Sequence, residues 1–168
     1  MKSILVAVSL IVSVLSAAPL YAQSAVGLFH IERNKNTNIV QYDANMTDGV
    51  INSTNPVDAY WILHADKGQR EELSSFDRRA FGFRVNYNSE GGHFDLILQA
   101  VPDRTIQIAM VNDVPRAKIL INNKEAYLSK VFVFARSGFL GIPRVSYYTL
   151  YGTDVESGAD VSEQIDVR

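Results

Sequence analysis

Short runs of alternating apolar and polar residues, separated by turn residues, recur along the chain from Val26 onwards. This two-residue rhythm constrains the fold more than any other feature. Successive side chains of a strand point to opposite faces, whereas a helix needs apolar residues at a spacing of 3.6. In the run 26–33, Leu28, His30 and Glu32 fall on one face and Phe29, Ile31 and Arg33 on the other. Similar runs cover 38–42, 57–64, 83–87, 93–101, 105–111, 116–121, 125–136 and 144–151, with a weaker one at 161–167. Val131-Phe132-Val133-Phe134 is apolar on both faces, which predicts a central rather than an edge strand.

The breaks between these runs carry turn chemistry. Asn88-Ser89-Glu90-Gly91-Gly92 suits a hairpin loop, and Asn122-Asn123 can take the primed turn that matches strand twist. Asn112-Asp113 predicts another turn. The stretch 46–56 is polar and turn-rich. One segment departs from the rhythm. Over 70–81, Leu73, Phe76, Ala80 and Phe81 recur at helical spacing, and Gly82 can end a helix. Asp66 and Gln69 have the spacing of a capping box for it. About nine short strands and one short helix lying across a sheet opening predict a mainly β fold, an antiparallel sandwich or barrel.

The first residues read differently. Lys2 precedes an apolar run from Ile4 to Leu15, and small residues and Ala22 follow, in the order of a secretory signal peptide. Cleavage after Ala22 leaves residues 23–168 as a single β-rich domain, periplasmic or secreted. The apolar run falls short of the roughly 20 residues that span a bilayer, so no transmembrane segment is expected in the mature chain. The 16 Lys and Arg against 18 Asp and Glu, without a basic run, argue against nucleic acid as a partner. The chain has no cysteine, which removes disulfides, thiolate metal sites and a cysteine nucleophile. Two sequons, at Asn45 and Asn52, carry no weight beside a signal of bacterial type.

Catalytic motifs are missing: there is no Gly-x-Ser-x-Gly, no His-Glu-x-x-His, no phosphate loop and no dinucleotide fingerprint. The reading therefore leans away from an enzyme, and no cofactor is indicated. Each histidine has a carboxylate two residues on: His30 with Glu32, His64 with Asp66, His93 with Asp95. Positions i and i+2 of a strand share a face, so His30, His64 and His93 with Glu32 and Asp95 are candidate metal ligands. The plainer reading is three solvated pairs. Arg33 and Lys35, in a donor-rich turn, could clamp a carboxylate or phosphate. Tyr60, Trp61, Tyr147 and Tyr148 could line a ligand pocket, or be core and rim residues. Phe139, Leu140 and Ile142, in a loop between glycines and a proline, offer a contact patch or a plug for one end of the sheet.

Four fragments carry a resemblance: 29–36 (Phe-His-Ile-Glu-Arg-Asn-Lys-Asn), 56–62 (Pro-Val-Asp-Ala-Tyr-Trp-Ile), 73–82, and 145–152 (Val-Ser-Tyr-Tyr-Thr-Leu-Tyr-Gly). Together they resemble an uncharacterised family of exported bacterial domains of unknown function. The resemblance spans nearly the whole mature chain and implies a single domain. It brings no activity, ligand or catalytic residue. The leading expectation is an exported, non-enzymatic β domain that binds a small molecule, lipid or envelope component. The alternatives are an envelope protein-interaction or structural module with a protein partner, and a metal-dependent enzyme using the three histidines.

Overall fold

The computed structural model describes residues 23–137 and 143–167. The signal-like segment 1–22 and the loop residues 138–142 lie outside them. Twelve strands follow in order: β1 (Gln23–Arg33), β2 (Asn36–Thr47), β3 (Val50–Ile51), β4 (Val57–Leu63), β5 (Gln69–Glu72), β6 (Phe83–Asn88), β7 (His93–Leu98), β8 (Ile106–Val111), β9 (Val114–Ile121), β10 (Lys124–Ser137), β11 (Pro143–Asp154) and β12 (Asp160–Asp166). A 3₁₀ turn covers His64–Asp66, and one short helix, α1, covers Asp77–Phe81.

Every run read as a strand contains one, although the run 93–101 ends as a strand at Leu98 and His64 falls in the 3₁₀ turn. The two that escaped are β3, only two residues long, and β5, whose Gln-Arg-Glu-Glu is exposed throughout. The helix takes only the second half of the predicted 70–81 span. Lys67 and Gly68, both at positive φ (60° and 79°), make a tight turn that returns Gln69–Glu72 antiparallel to β4. The effective capping box is Ser74 with Asp77, not Asp66 with Gln69. The Asp77 N–H reaches Ser74 Oγ at 3.1 Å, and Asp77 Oδ2 accepts the Ser74 N–H at 3.1 Å.

The main path of the sheet runs β5-β4-β2-β1-β10-β9-β8-β7-β6, with β11 and β12 added beside β10 and β3 beside β2. All its pairings are antiparallel except β1 with β10. The path curls. Tyr42 on β2 stacks on Phe29 of β1 at 4.6 Å between ring centroids and meets Phe83 of β6 edge-on at 6.1 Å. Leu96, Ile108, Ile121 and Val131 fill the space between the two halves. No hydrogen bonds join β5 to β6, the two ends of the path, among the described residues, and α1 bridges that gap. The Tyr42 hydroxyl, from inside the core, donates to the Phe81 carbonyl and fixes the helix there.

The curl depends on β10. Lys124–Tyr127 pair with β9, whereas Lys130–Val133 pair with β1 on the same edge. The strand therefore leaves one half of the sheet and joins the other. Its partner on the opposite edge, β11, slips register between Leu128 and Lys130. Such a bulge adds twist and lets a strand turn a corner. Gly152 lies opposite Leu128 at that corner, and a Cβ there would sit 2.5 Å from the Tyr127 carbonyl oxygen. Only glycine permits so close a backbone approach. Gly152→Ala should therefore lower stability by about 1–3 kcal/mol, the usual cost of forced overpacking. Urea unfolding checks this, and an unchanged midpoint would show that the corner tolerates a side chain.

Candidate functional site

The inward stripe of β1 is Phe29, Ile31 and Arg33. The first two are buried; Arg33 is half-buried, because the core opens at this end of the strand. Its guanidinium carbon lies 4.4 Å from the centroid of Trp61 and 5.4 Å from that of Phe81. Phe81 meets Trp61 edge-on at 5.2 Å. A partly desolvated cation over an aromatic face gains about 0.5–2 kcal/mol, which explains why a cation ends an apolar stripe. Arg33 Nη2 donates to Asn36 Oδ1 at 3.2 Å, while Nε is buried with no hydrogen-bond partner among the described residues. Burial pushes the guanidinium pKa down, and the nearby Asp77 carboxylate opposes that shift.

The neighbouring turn is tied down by Asn34. Its side-chain amide donates to the Ala135 carbonyl and accepts the Ala135 N–H, both at 3.0 Å. This double bond pattern holds Arg33 and Lys35 against the far end of β10. From the other side, α1 brings Phe76, Asp77, Ala80 and Phe81. Between them opens a cleft of about 340 Å³, completed by Ala100, Val133, Ala135 and Val145. An adjoining depression of about 260 Å³ shares four of those side chains and adds Arg79, Gln99, Tyr148 and Val167. The lining is mostly aliphatic and aromatic, and the charged groups facing the cleft are Arg33, Lys35 and Asp77. Phe76 stands 76% exposed at its lip.

Asp77 is both cap and neighbour of Arg33. Burial pushes its carboxyl up, but hydrogen bonds from Ser74 and Trp61 and the charge of Arg33 outweigh this and hold it below its ordinary value.

The sequence candidates separate cleanly in space. Arg33 and Lys35 face the cleft, Trp61 lies behind Arg33, and Tyr148 reaches the adjoining depression. Tyr60 and Tyr147 project from the outer faces of their sheets. The Tyr60 hydroxyl donates to Asp43 Oδ2 at 2.6 Å under the Arg70 guanidinium, 3.7 Å from the ring centroid. Burial and Asp43 push that phenol up to about 12. Tyr147 stacks on Phe134 at 4.9 Å. Asp43, buried and also bonded to Gln41 Nε2 at 2.9 Å, was not singled out in the sequence. Nor were the small cleft residues Ala100 and Ala135, which carry no compositional signal; Ala80 stood out only through its helical spacing.

The histidine–carboxylate pairs form where strand geometry places both groups on one face. His30 Nε2 lies 3.2 Å from Glu32 Oε1, and Glu32 also meets Lys130 at 3.1 Å. His93 Nε2 lies 3.1 Å from Asp95 Oδ1. His64 is exposed on the 3₁₀ turn, where two-residue spacing no longer aligns it with Asp66. Among the described residues, no group of three or more histidine or carboxylate side chains is gathered to hold a metal.

A larger groove of about 580 Å³ lies on the outer face of β8 and β9. Three of its four charged side chains are paired, Lys118 with Glu125 at 2.8 Å and Arg104 with Glu163 at 2.7 Å. That is the ordinary solvated face of an antiparallel sheet. The apolar cleft is the better candidate.

The fold and site define a curled, sandwich-like β domain with an apolar cleft where its two halves meet under a short helix. Over residues 29–164 the chain matches the family described as Domain of unknown function (DUF4833), and it belongs to that family. No curated protein and no solved structure matches it. Among the described residues no helix is long and apolar enough to cross a membrane.

The shift at Asp77 has a pH signature. A carboxyl depressed in the folded state adds stability above its ordinary value, and that stability is lost as pH falls through the folded value. Asp77→Asn should thus be less stable than the parent at neutral pH, by about 0.3–1 kcal/mol for an acid in the first turn of a helix. The gap should close below the ordinary aspartate value of 3.8. Unfolding midpoints measured across pH 2–7 check this; a gap that stays constant would contradict it.

Proposed function

We propose that this protein is an exported, non-enzymatic binding domain whose ligand is a small apolar molecule or the apolar part of a lipid. The observation that carries the reading is the α1 cleft. It is concave, mostly apolar, and furnished with a few polar groups at one end, the usual make-up of a small-ligand site. An exposed Phe76 at its lip and an aromatic cluster behind it add apolar surface that a ligand would cover.

Trp61 is the only tryptophan and lies behind Arg33, so its emission reports on the site. Titration with medium-chain alkyl probes should shift that emission saturably. Ala100→Phe introduces bulk from an exposed position and should leave folding intact while weakening binding about tenfold or more. Binding unaffected by that substitution would place the ligand elsewhere.

Export rests on the order of Lys2, the apolar run and Ala22. It predicts a mature N-terminus at Gln23 in the extracytoplasmic fraction, read by intact-mass measurement. A full-length chain retained in the cytoplasm would refute it.

A further inference from the structure

We infer that the ligand of the cleft is a single-chain amphiphile with a carboxylate head, and that Arg33 receives that head. The inference rests on the reading of the cleft as a binding site and adds the chemistry of the ligand to it.

Two features of Arg33 point to an anion. Its guanidinium has one described hydrogen bond, to Asn36, and its Nε–H has no acceptor among the described residues. A buried donor without an acceptor costs about 1–3 kcal/mol, and Arg33 is the side chain through which the cleft can offer guanidinium donors. A carboxylate is the natural complement, because guanidinium donors match its two oxygens. Charge narrows the choice further. Among the described residues lining the cleft, Asp77 is the acid that shares it with Arg33. Asp77 stands close enough to Arg33 to affect its ionisation. A dianionic head beside Arg33 would meet that carboxylate, whereas a monoanion meets a smaller repulsion.

Volume argues for one chain. At roughly 30 Å³ for a group of methylene size, close to the share of a water molecule in the liquid, the cleft takes about ten chain carbons, and cleft and adjoining depression together about twenty. The two acyl chains of a bilayer phospholipid exceed that. Val133, Ala135, Val145 and Phe76 supply the apolar wall along which the chain would lie.

Calorimetric titration of the protein with dodecanoate, dodecanol and dodecylammonium, each below its aggregation threshold, separates the possibilities. Dodecanoate should bind at least tenfold tighter than dodecanol, and dodecylammonium most weakly. Arg33→Gln should bring dodecanoate down to the level of dodecanol, and Arg33→Lys should keep part of the preference. Circular dichroism establishes that both variants fold; if Arg33→Gln does not, the three-probe ranking in the parent and Arg33→Lys decides. Equal binding of dodecanoate and dodecanol would overturn the head assignment while leaving the cleft as a site. A preference that survives in a folded Arg33→Gln would overturn the role of Arg33. No binding of any dodecyl probe would overturn the cleft reading and this inference together. Co-sedimentation with phosphatidylglycerol vesicles without monomer binding would assign the face to a bilayer surface and overturn the single-chain ligand.

Discussion

One strand belongs to both halves of this sheet. β10 pairs with β9 up to Tyr127 and with β1 from Lys130, and between them its register with β11 slips. Backbone hydrogen bonds cannot be left unmade inside a core without a cost, so a strand that changes partners must do so within a residue or two. The bulge at Leu128–Lys130 and the side-chain-free approach of Gly152 make that possible. Once the corner is turned, β1, β2 and β4 lie across from β6, β7 and β8. Phe29, Tyr42 and Phe83 then meet in the middle.

The same geometry leaves a place where the two halves do not close. The path ends at β5 and β6 without pairing among the described residues, and α1 fills only part of the opening. The inward stripe of β1 runs toward this opening and finishes in Arg33, which is held by aromatic faces rather than by a carboxylate contact. Asn34 fixes the turn to β10, and the Tyr42 hydroxyl fixes the end of α1. The cleft is thus bounded by segments anchored independently to the core. That arrangement keeps a site in shape without a ligand, and it lowers the entropy lost when one binds.

Much of this fold was legible in the sequence because strands with one buried face must alternate. The inward set of β1 can be read directly from Phe29, Ile31 and Arg33. Asn122 and Asn123 both adopt positive φ, at 51° and 62°, as their turn chemistry required. What the sequence hid was edge structure. Gln69–Glu72 buries nothing, so its strand leaves no hydrophobic trace, and the apolar spacing of Leu73, Phe76, Ala80 and Phe81 extended the helix too far back. The site was half legible. Arg33 and Lys35 stood out as cations in a polar turn. Tyr60 and Tyr147 looked equivalent to Trp61 and Tyr148, yet strand alternation sends the first two outward. The alanines and valines of the cleft wall have no signature of their own, since small apolar residues line cores and clefts alike.

The central claim is that the seam under α1, and not the broader polar groove on the outer face, is where this domain meets its ligand. A chemical-shift map of the isotopically labelled protein titrated with dodecanoate tests it most directly. The account predicts that the Arg33 Nε–H and the methyl groups of Ala80, Ala100, Val133 and Ala135 shift together and saturate together. Shifts confined to Arg104, Lys118 and Glu125 on the outer face, with the seam unmoved, would contradict it.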